Sequence, residues 1–492
     1  MTNTATMAAA PTRLAPGAAW VVIAASALGV AATYWDDAWH TTLGRDNTFI
    51  PPHLLLYGSM AIVGVVLARW VLLAWADVRS VRAVFVQPGV GLAVVAGTMT
   101  AAAAPADSGW HAAFGRDAVL WSPPHLVSVL AMVALLIAAM LGVDRSVSPP
   151  LRAALGAVLL GAVEIVVLEY DSGVPQFSET IYLPILLLTA LAAAWVFASL
   201  LPGPHMLSYA VAGYTAYRLT LWAVLSIAGW HAPDLPVALL GLLVLDGSAR
   251  WGRSRWPAAA LAVVALQLAA SGIGASSVRF APTSISAAVV VPVLAVALAV
   301  ALGQRWSRAA LIVTALMALT PSAAPVARAH DPGQGLDIAN AQLTLQHAGP
   351  TDVVVLVDDL EGDAATELRP LRLLARRAGQ TISGELAAAT SPPDRPAFRG
   401  EITLPSSGLW FIYAELQHDG QTVETWVPID RDTLTTVSEH RAVYLPVGTG
   451  PRPPIEYIAG GGLLAAGTLV LGWAAVLVAR HRRHRPTTAQ TL

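Results

Sequence analysis

Trp35-Asp36-Asp37-Ala38-Trp39-His40, running through Gly44-Arg45-Asp46 to Pro51-Pro52-His53, returns as Asp107-Ser108-Gly109-Trp110-His111, running through Gly115-Arg116-Asp117 to Pro123-Pro124-His125. The displacement is 71 residues from Asp36 to Asp107 and 72 from His53 to His125, which marks the internal duplication of one unit. Each copy offers a carboxylate, a histidine four residues later, and a second histidine thirteen or fourteen residues beyond that. Four residues bring a helix back to the same face, so Asp36 with His40 and Asp107 with His111 can each grip one ion. Pro-Pro at a helix start costs no backbone hydrogen bond and fixes the entry of the helix it opens, which sets the angle from which His53 or His125 projects. The unit reads as two neighbouring helices whose adjoining ends aim three ligands at one point.

Composition sets the surroundings of these helices. The chain has 492 residues, 55% of them hydrophobic and 12% charged, with a mean hydropathy of +0.60. That is more apolar surface than a soluble core buries, and it comes in long runs, so the chain reads as a polytopic membrane protein. The basic residues are all arginine, and a net charge of -2 gives no field for nucleic acid. There is no cysteine, which removes disulfides, thiolate sites, iron–sulfur clusters and CxxCH haem attachment. Histidine, carboxylate or other oxygen ligands must hold any metal.

Apolar runs of membrane-spanning length fall at 17–36, 53–75, 87–107, 124–143, 151–169, 180–201, 206–228, 233–248, 256–274, 283–303, 308–325 and 456–479, which predicts about twelve spans in a mainly α helix bundle. With a cytoplasmic N-terminal segment 1–16, the inner loops collect Arg79, Arg82, Arg145, Arg152, Arg250, Arg253, Arg255, Arg305, Arg308 and the tail arginines. The outer connections before residue 325 keep only Arg45, Arg116 and Arg279. The positive-inside rule then puts both termini in the cytoplasm and both copies of the repeat at the outer face of the cell membrane. Between 329 and 450 the pattern turns polar and alternating, as in Ala341–Gln346, Asp352–Val357, Phe398–Leu404, Trp410–Leu416 and Thr422–Val427. This predicts an extracytoplasmic antiparallel β-sandwich. The expected order is a duplicated two-helix unit over 17–143, further helices over 144–328, the sandwich over 329–450, and an anchor with a basic, lipid-contacting tail over 451–492.

Two imidazoles and one carboxylate suit copper, zinc or non-haem iron, and ligand chemistry alone leaves these open. Arg45-Asp46 and Arg116-Asp117 are placed to orient a ligating imidazole, and Trp39 and Trp110 to anchor the helix ends at the interface. A single Asp or His at a span end reads as well as an interfacial residue; two copies of the whole set favour a metal.

Asp36-Asp37-Ala38-Trp39-His40 followed by Arg45-Asp46-Asn47-Thr48-Phe49-Ile50-Pro51-Pro52-His53 resembles the membrane copper-site segment of the copper membrane monooxygenases, the particulate methane and ammonia monooxygenase family. The resemblance covers about residues 30–130. It implies one copper on Asp36, His40 and His53 and a second site on Asp107, His111 and His125, with Asp107 standing where the family has Asn. It also implies oxidation of a small apolar substrate by O2 at the outer membrane face, a quinol or other electron donor, and partner subunits or a homo-oligomer. A weaker resemblance lies at Ala327-Arg328-Ala329-His330, which is similar to a cleavage site before the histidine that begins the periplasmic chain of the same enzymes. It would make His330 a copper ligand, with His347 or His418 completing the site; a plain linker is the alternative.

Ionisable groups inside spans are costly and mark bundle interiors or cavities. Glu164 is the most telling of these, with Arg218 as its expected partner; Glu169 and His231, on the outer side, are possible additions to the metal sites. A second expectation from a different class is copper transport, handling or metalloenzyme assembly, the β-domain capturing the ion. The methionines Met60, Met99, Met132 and Met140 form no Met-x-x-Met ladder, which argues against a pump.

Overall fold

Proline opens six of the helices, at Pro16, Pro51, Pro88, Pro123, Pro149 and Pro454, where its missing N–H is not needed and its fixed φ already suits the first turn. The structure, a computed structural model, describes residues 12–43, 49–114, 120–173, 179–247, 255–278, 280, 336–377, 380–390, 396–433, 435–446 and 454–483. The helices are α1 (Pro16–Leu43), α2 (Pro51–Val78), α3 (Val81–Val86), α4 (Pro88–Phe114), α5 (Pro123–Gly142) and α6 (Pro149–Glu164). They continue with α7 (Leu168–Asp171), α8 (Glu179–Leu200), α9 (Met206–Ile227), α10 (Val244–Gly247), α11 (Arg255–Gly272) and, after the β-domain, α12 (Pro454–Arg483).

Seven described stretches are long and apolar enough to cross a bilayer: Pro16–Thr41, Pro51–Val78, Pro88–Trp110, Pro123–Gly142, Pro149–Asp171, Tyr182–Leu200 and Pro454–Arg483. These make the chain a membrane protein. The expected twelve are not all found. The 233–248 run forms seven residues of 3-10 helix and four of α10. At the rises of those helices that is about 20 Å, short of the roughly 30 Å of hydrocarbon. The 206–228 and 256–274 runs are the helices α9 and α11, which do not reach the same apolar length, and 283–303 and 308–325 lie outside the described residues.

The duplicated halves pack as hairpins, α1 on α2 and α4 on α5, and α2 meets α4 between them. Trp70 of α2 is the wedge, its ring lying where a Cβ on Gly89 would come within 2.9 Å and one on Gly142 closer still. Glycine there lets α4 and α5 close on the indole, whose N–H donates to the Thr12 carbonyl at 3.0 Å. α12 returns against α5, and its Gly460 admits Trp110 and Pro123 while Gly467 admits Leu130.

The β-domain holds eight strands, β1 (Leu336–His347), β2 (Asp352–Glu361), β3 (Arg369–Arg377), β4 (Gln380–Ala388), β5 (Phe398–Thr403), β6 (Leu409–His418), β7 (Gln421–Asp430) and β8 (Val437–Leu445). They close as β1-β2-β5-β4-β3-β6-β7-β8, an antiparallel barrel and not the sandwich expected. Alternation along a strand says only which side chains face inward. Closure depends on β1 pairing with β8, from Leu336 against Leu445 to Leu345 against Val437, a contact across the whole domain. Leu343, Val355, Leu373, Trp410, Ile412 and Val427 fill the interior. On β6 the alternate residues are covered too: Phe411 and Tyr413 join Leu374, Trp426 and Tyr444 outside the barrel, with the Arg376 guanidinium over Tyr413 and Arg441 over Trp426.

Candidate metal centre

The last turns of α1 carry Asp36 and His40, and the first turn of α2 carries His53. The residue before each Pro-Pro is extended, Ile50 at φ -65, ψ 152 and Ser122 at φ -64, ψ 148. Proline disfavours the helical region for its predecessor, so both copies enter their second helix by the same bend. In the first copy Asp36 Oδ1 lies 3.1 Å from His53 Nε2 and 3.5 Å from His40 Nε2. All three ligand atoms lie within 4.8 Å of one another. Donors held 2.0–2.2 Å from a tetrahedral ion stand ~3.3 Å apart, so these separations already match the edges of a coordination polyhedron. The side chains are 14–21% exposed, open enough for an ion to enter. In the second copy His125 Nε2 lies 3.0 Å from Asp107 Oδ1, the same edge between corresponding residues. The side chain of His111 lies outside the described ones, as do Arg45, Asp46, Arg116, Asp117 and His330 as whole residues.

Aromatic rings crowd this end of the bundle. Trp39 stacks on Trp230 at 5.3 Å with 18° between planes and meets Trp35 edge-on, and Trp110 packs on Phe114. The arginines lie at the opposite end: Arg79 caps α2, Arg82 is in α3, Arg145 and Arg152 follow α5, and Arg480, Arg482 and Arg483 end α12.

Three expectations change. Arg218 does not pair with Glu164. The Glu164 carboxylate accepts from Thr189 Oγ1 at 3.3 Å. The Arg218 guanidinium instead donates to Tyr34 and Tyr214 hydroxyls and to the Asp234 carbonyl, with Asp171 3.9 Å away. Glu169 does not ligate either site: its carboxylate accepts the Leu120 backbone N–H at 2.6 Å, holding the approach to α5. Nor does His231, whose Nε2 sits 2.8 Å from the Ser172 carbonyl, so that nitrogen carries the proton and donates. Burial holds the His231 pKa below its ordinary 6.5, against the opposing influence of that hydrogen bond and of Asp430 in the barrel.

Sequence reasoning did not single out Tyr34, Asp37, Ser172 or Asp234. Ser172 Oγ donates to Asp37 Oδ2, and Ser277 donates its N–H and its hydroxyl to the Asp234 carboxylate. The one legible signal was at position 37, where the copies diverge: Asp37 in the first, Ser108 in the second.

In the barrel, His418 Nδ1 faces Glu367 and His418 Nε2 faces Asp419, each at 3.8 Å. The two carboxylates address opposite ring nitrogens, which suits an ion pair better than one shared ion. His347 and His418 close strands that run in opposite directions around the barrel, so they sit at opposite ends and do not share a site.

No protein-family model, curated protein or solved structure matches this chain, so the converging side chains carry the functional argument.

Proposed function

We propose that this is a copper-binding integral membrane protein that oxidises a small apolar substrate with O2 at the outer face of the cell membrane. The observation that carries the reading is the convergence of Asp36, His40 and His53 at coordination-edge distances on two adjoining helix ends, repeated by Asp107 with His125. Iron or zinc would fit the same donors, and the resemblance to the copper membrane monooxygenases selects copper. Copper bound there would supply the O2 chemistry, with electrons from a quinol or another donor.

The chain's own residues provide the rest. Asp36, His40 and His53 would hold the first ion, and Asp107, His111 and His125 the second. The apolar surfaces of α1, α2, α4 and α5 give a substrate dissolved in the bilayer a route to the helix ends. The Trp35, Trp39, Trp110 and Trp230 rings would exclude water and place these ends at the interface. Arginines gathered at the other end support both termini inside and the barrel outside. Partner subunits or a second copy would complete the electron path.

The test is metal analysis of protein purified from membranes, followed by oxygen uptake on adding a reductant with short alkanes or ammonia. Stoichiometric copper with substrate-dependent uptake supports the reading. Copper without uptake assigns the chain to copper handling or assembly, and no copper, iron or zinc refutes both.

A further inference from the structure

Arg218 has 1% of its surface exposed and is the one buried cation of the bundle among the described residues. An ion so placed is tolerated only when hydrogen bonds and counter-charge surround it, and its partners show what it joins. Nη1 donates to Tyr34 on α1 and, at 3.2 Å, to Tyr214 on α9; Nη2 donates to the Asp234 carbonyl at 2.6 Å; the Asp171 carboxylate of α7 lies 3.9 Å away. The guanidinium also lies over the Tyr34 ring, 4.1 Å from its centre. Asp234 N donates back to the Asp171 carbonyl at 2.8 Å, closing the connection between the 228–236 segment and α7.

The position of Tyr34 gives this cluster its consequence. A helix turns about 100° per residue, so Tyr34 and Asp36 leave α1 about 200° apart, on nearly opposite faces, while Asp37 leaves on the Tyr34 side. Asp37 accepts from Ser172, the residue after Asp171, and Ser172 holds His231 through its carbonyl. Next to that contact Trp230 stacks on Trp39. One face of the last turns of α1 is therefore gripped by α7, α9 and the 228–236 segment, and the opposite face presents Asp36 and His40 to His53. The second copy has different surroundings: Trp110 and Pro123 rest on Gly460 of α12, and Ser108 stands where Asp37 stands in the first.

We propose that Arg218 is the positioning residue of the Asp36, His40 and His53 cluster, making the first copy a rigid metal site and leaving the second a more adaptable one. This rests on the metal reading above. It predicts that the two ions differ in affinity and in spectral definition although the ligand sets correspond.

The test uses the full chain in lipid nanodiscs with Cu(II) as the probe and His125→Ala to silence the second copy. The expected result is one narrow Cu(II) paramagnetic resonance signal. Arg218→Met should broaden it and weaken binding about tenfold, and Arg218→Lys should restore part of both. Tyr34→Phe, which keeps the core volume, should show a smaller shift in the same direction. An unchanged signal and affinity in a folded Arg218→Met or in Tyr34→Phe would overturn the assignment. A metal-free measurement separates it from the reading it rests on. The chain has no cysteine, so Leu54→Cys with Ala228→Cys gives a unique spin-label pair at exposed positions. Arg218→Met should widen that distance distribution even if wild-type protein binds no copper, and an unaltered distribution would refute the clamp.

Discussion

Replacing His53 with alanine removes the only donor that α2 contributes to the first cluster and leaves Asp36 and His40, both on α1. In metal-free protein the loss is small. His53 Nε2 donates to Asp36 at 3.1 Å, but both side chains keep 15–21% of their surface in solvent, so the variant loses about 1.5 kcal/mol, the low end for a hydrogen bond to a charged group. With metal the loss is larger. Disturbing a group that merely orients a ligand weakens binding 10–100-fold, so deleting a ligand weakens it by ~100-fold or more. At free Cu(II) near 100 times the wild-type dissociation constant, binding stabilises the folded state by about 2.7 kcal/mol, and a ~100-fold weaker site leaves about 0.4 kcal/mol. The assay is thermal unfolding of the full chain in lipid, with and without Cu(II), in a His125→Ala background so that one copy is read at a time. Copper-dependent stabilisation that survives His53→Ala at its original size would show that the three side chains do not share an ion.

Other outcomes follow from the same geometry. Gly460→Val should push α12 off Pro123 and Trp110, since even a Cβ there comes 2.9 and 3.2 Å from their rings; the expected cost is about 1–3 kcal/mol, with Cu(II) affinity falling at the second copy and holding at the first. Trp410→Ala should unfold or loosen the barrel, because this side chain is fully buried in its interior; the loss of about 3–5 kcal/mol is measurable by proteolysis of the 336–445 region. His231 is held below its ordinary pKa by burial, so the unfolded chain takes up that proton first as pH falls. Its contribution to stability is complete above about pH 6.5 and is lost on further acidification. His231→Gln, which keeps a donor for the Ser172 carbonyl, should flatten the melting-temperature profile between about pH 7 and pH 5, and an identical profile would count against it.

Much of this molecule is local in origin, and the local part was readable. Apolar runs and opening prolines placed the long helices, because burial in hydrocarbon and the missing proline N–H act within a single segment. The four-residue spacing of Asp36 and His40 put them on one face for the same reason, and duplication identified His53 and His125 as their counterparts. Period-two alternation found five of the eight strands but not β3, β4 or β8, in which charged residues such as Arg372, Glu385 and Arg441 interrupt the pattern.

What the chain's order of residues determined by itself was a membrane helix bundle with a duplicated ligand set and a β-domain, since hydropathy, helical periodicity and proline geometry are properties of neighbours along the chain. What only tertiary structure decided was partnership. Arg218 joined Tyr34, Asp171 and Asp234 instead of Glu164, Glu169 and His231 turned to backbone groups, and β1 met β8 to close a barrel. Each is a contact between segments far apart in sequence, chosen by which polar groups burial leaves facing one another.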